Sequence, residues 1–346
     1  MPCRKVAENA VVFLSGTERS ACSANAPHPN CAICRGGNTF QTDVTSEVVQ
    51  GGITNILILV NVASESFLVR FFGPDTSDLI DRRKEQVVTE FLQSKGLGKR
   101  IYLHIHCPGF EGQIEEWIQG RSLSLKEMRS MSSQIAVALA RLHSSPVGSL
   151  DLPTGGVLDW TQRWRQLFEK TMKANVRQRQ ELERLVEIDA VHKSLAMLMD
   201  RHVPAPLVLC HNDLLQGNIL QESNHRNDVR FLDFEYANLG EAAFDIANHF
   251  NEYCGFHEGL DRYPSSVEQD AFLSTYLAHL VPWGEPLTSH ELAQSVRNYT
   301  PYSHYLWGVW SFRQYCSSPV DFDYLGYCQR RLTECYRTAM LVLNSV

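Results

Sequence analysis

Polar residues follow two apolar runs in the middle of the chain. The run "PLVLC" (206–210) leads into "HNDLLQGNIL" (211–220), and the run "VRFLDF" (229–234) leads into "EYANLGEAAFDIANHF" (235–250). The apolar runs predict buried strands, and a polar group that leaves water with such a strand needs a hydrogen-bond or metal partner. Any fold of this chain therefore has to provide partners for the polar residues of these two segments.

The first segment places Asp213 and Asn218 five positions apart, on a turn that follows a strand. Kinase catalytic loops hold an aspartate and an asparagine at this interval. Asp233 ends the second apolar run, where a strand would deliver its carboxylate to the same metal ion. Phosphoryl transfer needs a carboxylate beside the attacking hydroxyl and oxygen ligands for Mg²⁺. Together the three residues predict a phosphotransferase, although each one alone is also expected in a capped turn.

The periodicity of the chain changes twice. Residues 1–40 are rich in small and polar residues and are expected to form a flexible extension without a core. From Val48 to residue 118, short β-branched and aromatic runs surround one helical segment. The predicted limits of this helix are an N-cap at Thr76, Ser77 or Asp78 and a stop at Gly96. After Gly120 the apolar positions recur every three to four residues, as they do in helices.

These patterns predict an α+β fold, with a small antiparallel sheet lobe that carries one helix and a larger, mainly helical lobe. The expected domains are the extension (1–40), an N-terminal nucleotide-binding lobe (41–118) and a C-terminal catalytic and substrate-binding lobe (119–346).

Composition narrows the function further. The chain has 32 basic residues against 39 acidic residues, without long runs of one charge, so no nucleic-acid-binding surface is expected. A cationic or metal-bridged substrate suits this balance better. No apolar run approaches the ~20 residues that span a bilayer, so no membrane insertion is expected. The ten cysteines are scattered and no secretory signal precedes them, which favours reduced thiols in a cytoplasmic protein.

The motifs "HNDLLQGNIL" and "FLDFEYANLGEAAFDIANHFNEY" closely resemble motifs of the choline/ethanolamine kinase family, and a weaker resemblance extends from about Gly51 to the C-terminus. The resemblance implies a protein-kinase-like bilobal fold and Mg-ATP-dependent phosphorylation of an amino alcohol, as in the first step of phospholipid headgroup synthesis. It implies that Asp213 acts as the catalytic base, Asn218 as a metal-side ligand and Asp233 as the magnesium carboxylate. Glu235 replaces the glycine of the protein-kinase Asp-Phe-Gly word, so a protein substrate is not expected.

Two further residues of these motifs are expected to support the catalytic residues. His211 is expected to be structural, next to the catalytic turn. Asp245 is expected either to brace the catalytic loop through hydrogen bonds or to act as a carboxylate at a helix N-terminus. The resemblance favours the bracing role.

The N-terminal lobe supplies the expected ATP-binding residues. The turn "GGITN", with Gly51, Gly52, Thr54 and Asn55, offers backbone N–H groups for phosphates, although a plain hairpin is the commoner use of such a turn. The resemblance assigns Arg70 to the place of the kinase phosphate-binding lysine, where a guanidinium gives forked contacts.

A helical carboxylate is expected to pair with Arg70. Glu85 and Glu90 both lie on the predicted helix, and only Glu85 falls beside the buried positions of that helix, so Glu85 is favoured. The segment "IEEWIQG" resembles the kinase hinge, where backbone groups near Glu116 and Ile118 would contact adenine. A solvent-facing strand end is the alternative for these two residues.

The expected substrate site is aromatic. Trp307 and Trp310 are three positions apart and so share one helical face, with Phe322, Tyr324 and Tyr327 close behind. An ammonium group gains about 0.5–2 kcal/mol from a good aromatic face. An aromatic stripe on a helix is usually core, but the resemblance implies a pocket for the substrate cation, with Glu252 as its counter-charge.

Several alternatives stay open. Ethanolamine is favoured as substrate and choline is second, because "NHFNEY" and "VDFDYLGY" resemble the ethanolamine branch while "QGNIL" resembles the choline branch. The other functions considered are a choline-preferring kinase, an aminoglycoside-type phosphotransferase and an inactive kinase fold that only binds a ligand. The extension holds one weak zinc motif, made of Cys22, His28, Cys31 and Cys34. A homodimer is left open.

Overall fold

A computed structural model of the protein describes Ala7 and residues 44–49, 55–73, 80–107, 110–150, 152, 156–202, 205–223, 228–256, 259–281 and 287–345. The chain divides into two compact units. The first comprises the described residues up to Gly120 together with Glu222 and Ser223, and the second comprises the rest from Arg121 onward. The weak zinc motif and the glycines of "GGITN" lie outside the described residues.

The first unit contains a five-stranded antiparallel sheet with the order β1-β2-β3-β5-β4. Its strands are β1 (Val44–Val49), β2 (Asn55–Val62), β3 (Glu65–Phe72), β4 (Ile101–Cys107) and β5 (Phe110–Glu116). This confirms the predicted small sheet. Strand β1 was missed, because "VTSEVV" buries only Ser46 and so lacks the alternation of apolar and polar residues that identifies a strand.

The core of this unit lies on one face of the sheet. Its buried members are Ile58, Val60, Val62, Phe67, Val69, Phe71, Ile105 and Ile114. Ala7 belongs to the same cluster and is 0% exposed. The expectation that residues 1–40 contribute no core is therefore wrong for Ala7. A single buried methyl group produces no periodic pattern, so sequence reasoning had no signal for it.

Helix α1 (Arg82–Ser94) begins later than predicted. The N-cap is Asp81, which has an extended backbone and a side chain that accepts a hydrogen bond from the Lys84 N–H at 3.1 Å. The predicted caps at residues 76–78 are therefore wrong for this helix, and they lie outside the described residues. The predicted stop is confirmed: Gly96 follows the C-cap with φ +70° and donates its N–H to the Gln93 carbonyl.

The second unit is mainly helical, as predicted. Its helices are α2 (Leu125–Ser130), α3 (Ser132–His143), α4 (Val157–Ala174), α5 (Val176–Glu183), α6 (Ile188–Met199), α7 (Ala242–Glu252), α8 (Ser266–His279), α9 (Ser289–Ser317) and α10 (Tyr324–Leu343). Two stretches with continuous helical spacing in the sequence, residues 124–143 and 177–202, are each divided into two helices, at Met131 and at residues 184–187.

Short strands separate α6 from α7 and carry the two polar segments. They are β7 (Leu207–Cys210), β8 (Ile219–Glu222), β9 (Val229–Phe231) and β10 (Asn238–Glu241), with β6 (Gly120–Ser122) earlier in the chain. Strand β7 pairs with β10, and the other three form a sheet with the order β6-β8-β9. The first polar segment thus begins where β7 ends, and the second begins at Glu235, shortly after β9 ends.

Helices α9 and α10 pack against each other, and α9 also packs against α7. Gly308 allows the close approach of α9 and α10, because a Cβ at this position would lie 2.7 Å from Leu332 Cδ2. Trp307 and Trp310 flank this glycine on α9, and Tyr327 lies on α10. The packing of these helices therefore determines where the predicted substrate residues lie.

Candidate active site

The turn after β7 is shaped by a buried histidine. His211 is 0% exposed, and its Nε2–H donates to the Leu232 carbonyl at 2.9 Å. Its other ring nitrogen, Nδ1, accepts the backbone N–H of Asp213 at 3.3 Å. One nitrogen donates and the other accepts, so the ring is neutral, and burial lowers the pKa of His211 accordingly. His211 thus joins the segment before Asp233 to the backbone of Asp213.

Asp245 in the first turn of α7 holds the same turn from the other side. Its Oδ2 accepts the His211 N–H at 2.6 Å and its Oδ1 accepts the Asn212 N–H at 2.8 Å. His143 Nε2 lies 3.0 Å from Oδ2, and His143 Nδ1 lies 2.8 Å from the Tyr276 hydroxyl. This is the hydrogen-bonding arrangement that the bracing role requires. Burial would raise the pKa of Asp245, but the hydrogen bonds and the two histidines hold it below its ordinary value.

Asn212 has a left-handed backbone, with φ +66°. Its Nδ2 donates to the Tyr236 carbonyl at 3.0 Å, and its own carbonyl accepts from Asn248 Nδ2 at 3.1 Å. Asparagine tolerates this conformation better than most residues. The turn that carries Asp213 is therefore fixed by contacts with both α7 and the second polar segment.

His249 anchors the next residue of the loop. Its Nδ1–H donates to the Leu214 carbonyl at 2.9 Å, and the ring is 0% exposed. Burial lowers the pKa of His249 to about 4. Neutral buried histidines therefore hold the backbone on both sides of Asp213.

Asp213 and Asn218 are in direct contact. Asn218 Nδ2 donates to Asp213 Oδ2 at 2.9 Å and to the Asp213 carbonyl at 2.8 Å. Because the nitrogen of the amide is used in this way, its oxygen remains the atom that Asn218 can offer to a cation. Asp213 itself is 8% exposed.

The surroundings of Asp213 are acidic. Burial raises the pKa of Asp213 well above its ordinary range, and the charges of Glu252, Asp233 and Glu235 raise it further. The hydrogen bond from Asn218 opposes this shift. A carboxylate of raised basicity is suited to accept a hydroxyl proton. The group of carboxylates is also suited to attract cations.

Asp233 lies just beyond β9 with φ +60°, a left-handed conformation that is unusual for a residue with a side chain. Such backbone geometry is concentrated at functional sites. Hard divalent cations prefer carboxylate and amide oxygens. The Asp233 carboxylate, the Asn218 amide oxygen and the acidic surroundings of Asp213 therefore fit Mg²⁺.

The aromatic residues predicted for the substrate form a continuous row of ring contacts that also includes Tyr236 and Phe256. The centroid distances along this aromatic row are Tyr236–Trp307 5.3 Å, Trp307–Trp310 5.7 Å, Trp310–Tyr324 5.9 Å, Tyr324–Phe322 4.8 Å, Phe322–Tyr327 6.0 Å and Tyr327–Phe256 5.3 Å. Burial raises the pKa of Tyr327, and Glu252 and Asp213 raise it further. Because the carbonyl of Tyr236, the first member of the row, accepts a hydrogen bond from Asn212 Nδ2, the row adjoins the turn that carries Asp213.

The two tryptophans differ in their surroundings. Trp310 is 5% exposed, and its Nε1–H donates to the Tyr236 hydroxyl at 3.0 Å. Trp307 is half-buried, and its Nε1–H donates to Asn248 Oδ1 at 2.7 Å. Trp307 is therefore the more accessible of the two rings.

Glu252 ends α7 and is 4% exposed. Its Oε1 lies 3.3 Å from Arg331 Nη1 of α10. Burial raises the pKa of Glu252, and the ion pair with Arg331 opposes this shift. The predicted counter-charge therefore already has a cationic partner within the chain, which the sequence did not indicate.

Arg70 in the first unit also has a carboxylate partner. It lies on β3, is 3% exposed and forms an ion pair with Glu85 of α1, as expected. A second carboxylate, Glu115 of β5, lies 3.8 Å from Arg70 Nε and 2.6 Å from Lys99 Nζ. Glu90 instead accepts a hydrogen bond from Gln86 on the exposed side of α1. The guanidinium of Arg70 is therefore held in a fixed place by two acids.

The other residues predicted to bind ATP are Asn55, Glu116 and Ile118. Asn55 begins β2, and its Oδ1 accepts from Arg82 Nη2 at 3.4 Å. Glu116 ends β5 and donates its N–H to the Arg100 carbonyl at 2.8 Å. Ile118 follows β5 and is half-buried. The adenine-binding role of Glu116 and Ile118 stays a prediction, as does the phosphate role of the turn before Asn55.

One further cluster has metal-ligand chemistry. His143, Cys210 and Asp245 are buried within 4.8 Å of one another. Asp245 and His143 already use their polar atoms on each other, on the loop and on Tyr276, and burial raises the pKa of the Cys210 thiol. These contacts are the ones that the predicted bracing role of Asp245 requires, and the Cys210 thiol lies 3.6 Å from the Glu241 carbonyl.

The choline/ethanolamine kinase family model matches residues 46–336. The chain belongs to the choline/ethanolamine kinase family. A probable ethanolamine kinase of Arabidopsis thaliana is 30% identical over 316 residues, which cover 87% of this chain and 81% of that protein. Probable ethanolamine kinase A of Dictyostelium discoideum is 30% identical over 321 residues, with 89% of each chain covered.

Solved structures agree with this membership. The structure of an ethanolamine kinase from Plasmodium vivax is 28% identical and has a TM-score of 0.73, with 86% of this chain and 84% of that one covered. Membership confirms the predicted family, its protein-kinase-like fold and its class of reaction, which is transfer of phosphate from ATP to an alcohol. Among the described helices, none combines the length and the apolar character needed to span a bilayer.

Three of the residues that surround the aromatic row and Glu252 were not among the predicted ones. Tyr236 and Asn248 lie within the second polar segment, and each contacts one of the tryptophans. Arg331 pairs with Glu252 from α10. Arg331 follows Tyr327 by four positions and so lies on the same helical face. An arginine on this buried face was the sequence signal that could have identified Arg331.

Proposed function

We propose that the protein transfers the γ-phosphoryl group of ATP to the hydroxyl of ethanolamine, with choline as a second substrate. The observation that carries this proposal is that Asn248 and Tyr236 each hydrogen-bond both to Asn212, the residue before Asp213, and to a tryptophan of the aromatic row. Glu252 follows Asn248 by one turn on α7. A carboxylate suited to a hydroxyl thus lies in the same buried group as an acidic residue and aromatic rings suited to an ammonium. An amino alcohol carries these two functions a few bonds apart.

Asp213 would orient the substrate hydroxyl and accept its proton. The hydroxyl oxygen forms a bond to the γ-phosphorus while the bond from that phosphorus to the bridging oxygen breaks, and ADP leaves. Asn218 holds Asp213 Oδ2 by a hydrogen bond, which leaves Oδ1 for the hydroxyl. His211 and Asp245 keep the loop in place during this step.

Asp233 and the Asn218 amide oxygen would hold Mg²⁺. When it is bound, Mg²⁺ supplies positive charge to the phosphate oxygens of ATP. Arg70 would add a guanidinium for the same phosphates, held in place by Glu85 and Glu115. The backbone near Glu116 and Ile118 would contact adenine, and the turn at Gly51, Gly52, Thr54 and Asn55 would cover the phosphates.

The ammonium would lie against Trp307, with Phe322 and Tyr327 farther along the aromatic row. Glu252 would supply negative charge. A primary ammonium has three N–H groups that need acceptors once they leave water, whereas trimethylammonium depends on aromatic and apolar contact. Glu252 and the carboxylates around Asp213 supply such acceptors, which favours ethanolamine. The three relatives described above carry ethanolamine kinase in their names, which supports the same choice.

The test is ADP release by the purified protein with Mg-ATP and ethanolamine, choline or kanamycin across a range of concentrations. The proposal predicts turnover with ethanolamine and a larger kcat/KM for ethanolamine than for choline. Turnover with kanamycin alone would instead indicate an aminoglycoside-type enzyme, and no turnover with any acceptor would indicate a binding protein. Trp307→Ala should raise the KM for ethanolamine far more than the KM for ATP.

A further inference from the structure

Arg331 is a buried arginine in the middle of α10 and is 6% exposed. One end of its guanidinium, Nη1, lies 3.3 Å from Glu252 Oε1. The other end, Nη2, lies 3.3 Å from Ser303 Oγ and 3.4 Å from the Ser303 carbonyl. Its Cζ lies 5.6 Å from the centroid of the Tyr327 ring. One side chain thus contacts α7, α9 and the aromatic row.

The Ser303 hydroxyl connects Arg331 with the catalytic loop through hydrogen bonds. Ser303 Oγ donates to Asn248 Oδ1 at 2.8 Å, and the same oxygen accepts Trp307 Nε1–H at 2.7 Å. Asn248 Nδ2 donates to the carbonyl of Asn212, the residue before Asp213. Because Ser303 Oγ accepts from Arg331 and also, at 3.0 Å, from Asn251 Nδ2, its hydroxyl hydrogen is directed to Asn248. Asn248 therefore joins Trp307, Ser303 and the catalytic loop.

We propose that Arg331 is a positioning residue of the amino-alcohol site. It holds the Glu252 carboxylate with one end of its guanidinium and, with the other, the Ser303 hydroxyl that orients Asn248 and Trp307. The relation of these contacts to substrate binding rests on the proposed function. The contacts themselves form two arms, a Glu252 arm and a Ser303 arm, which can be tested separately.

The Glu252 arm has an electrostatic consequence. The charged or titratable groups coupled to Glu252 are Arg331 and Tyr327 of α10, Asp213 of the loop after β7 and Cys254 just after α7. Burial favours the neutral form of Glu252, and Arg331 favours the charged form. A charged Glu252 is the form that attracts an ammonium. Loss of Arg331 should therefore make Glu252 take up a proton at higher pH.

The same helix offers a matched control. Arg337 also forms an ion pair, with its Nη2 2.7 Å from Glu334 Oε2, but its side chain is 53% exposed. Arg337→Gln removes the same charge from α10 without touching Glu252 or Ser303. A general effect of charge on the helix would appear in both variants, whereas a positioning effect would appear in Arg331→Gln alone.

The Ser303 arm is tested by the indole N–H resonance of Trp307 in ¹⁵N-labelled protein without substrate, assigned by its disappearance in Trp307→Phe. The proposal predicts that this resonance moves in Arg331→Gln and in Ser303→Ala and stays in place in Arg337→Gln. A resonance that stays in place in Arg331→Gln overturns the proposal. Should Arg331→Gln fail to fold, Ser303→Ala and Arg331→Lys decide the same question.

The Glu252 arm is tested by kinetics from about pH 5 to about pH 9. Arg331→Gln should raise the KM for ethanolamine roughly 10- to 100-fold at about pH 7, because the buried Glu252 loses its partner. The KM for ATP should stay within about twofold. The acid limb of kcat/KM for ethanolamine should move to higher pH in Arg331→Gln. It should stay near the wild-type position in Arg331→Lys, which keeps the charge, and in Ser303→Ala, which keeps the ion pair.

The outcomes separate the two proposals. An active wild-type enzyme whose ethanolamine KM and acid limb are unchanged in Arg331→Gln overturns the positioning role and leaves the proposed function intact. A wild-type protein that phosphorylates no amino alcohol overturns the proposed function, and the Trp307 resonance then decides the positioning role alone. Equal increases in both KM values would indicate general damage and would also overturn it.

Discussion

Replacing Asp245 by asparagine tests the catalytic-loop brace with almost no change in volume. The carboxylate accepts three hydrogen bonds, from the N–H groups of His211 and Asn212 and from His143 Nε2. An asparagine side chain has one oxygen and one NH₂ group. Whichever carboxylate oxygen the NH₂ group replaces, the backbone N–H of His211 or of Asn212 then faces another donor. The brace therefore cannot be preserved by rotating the amide.

The magnitude follows from the bonds that are lost. Asp245 is 0% exposed, so water does not replace the lost acceptor. A hydrogen bond to a charged group contributes about 1.5–3 kcal/mol, and a buried donor without an acceptor costs about 1–3 kcal/mol. These two effects overlap, so Asp245→Asn should lower the free energy of unfolding by about 2–4 kcal/mol. The turn that carries Asp213 should shift as well, and kcat should fall about tenfold or more.

Chemical denaturation at about pH 7 measures this difference, with steady-state kinetics on the same samples. The pKa of Asp245 is lowered in the folded protein, so its contribution to stability is present above the unfolded pKa of about 3.9 and is lost as the pH falls through the folded value. The difference in the free energy of unfolding between wild type and Asp245→Asn should therefore be constant above about pH 5 and become smaller in acid.

A matched control is available on α8, where Asp270 is exposed. Asp270→Asn should change the free energy of unfolding by less than about 0.5 kcal/mol. A loss below about 1 kcal/mol in Asp245→Asn, with normal kcat, would refute the bracing role. It would mean that the buried carboxylate is not what holds the loop.

Three other substitutions test the site. Asp213→Asn should lower kcat by about 10²- to 10⁴-fold with little change in ATP binding, which kinetics and calorimetry would measure; normal turnover would exclude Asp213 as the base. Asp233→Gly should abolish turnover yet change the free energy of unfolding by no more than about 1 kcal/mol, because φ +60° suits glycine. A larger loss of unfolding free energy, measured by chemical denaturation, would contradict this prediction. Glu85→Gln should raise the KM for ATP more than that for ethanolamine, because Arg70 loses a carboxylate; equal changes would argue against the pairing.

The parts of the site that sequence reasoning reached are those set by local spacing. Asp213 and Asn218 lie in one turn, so their interval alone allows the hydrogen bond between them. Trp307 and Trp310 lie three positions apart on one helix, and their rings are in contact as that spacing implies. Glu85 lies on the buried side of α1 for the same reason, and it meets Arg70 there.

The parts that sequence reasoning missed depend on contacts between distant elements. Arg330 and Arg331 are adjacent in "QRRL", yet the Arg330 side chain is 47% exposed and that of Arg331 is 7% exposed. Only the packing of α10 against α9 and the ion pair of Arg331 with Glu252 on α7 distinguish them. Asn248 likewise gains its role from Ser303 and Trp307, which are more than fifty positions away. No local pattern carries that information.

The limits of elements were missed where short-range chemistry competes with periodicity. The apolar spacing before α1 continues back to Ile80, but the Asp81 side chain caps the Lys84 N–H and so sets the helix start. The pattern from residue 177 to residue 202 also looks continuous, although α5 and α6 are separate helices. Capping and turn contacts of this kind are decided by side-chain geometry rather than by apolar spacing.

The most direct measurement is the ³¹P NMR spectrum of a reaction containing the purified protein, Mg-ATP and ethanolamine. We expect a phosphate monoester resonance to grow in step with ADP, to match added phosphoethanolamine and to be absent with Asp213→Asn. Formation of inorganic phosphate and ADP without the monoester, or an unchanged ATP spectrum, would contradict phosphoryl transfer to the amino alcohol.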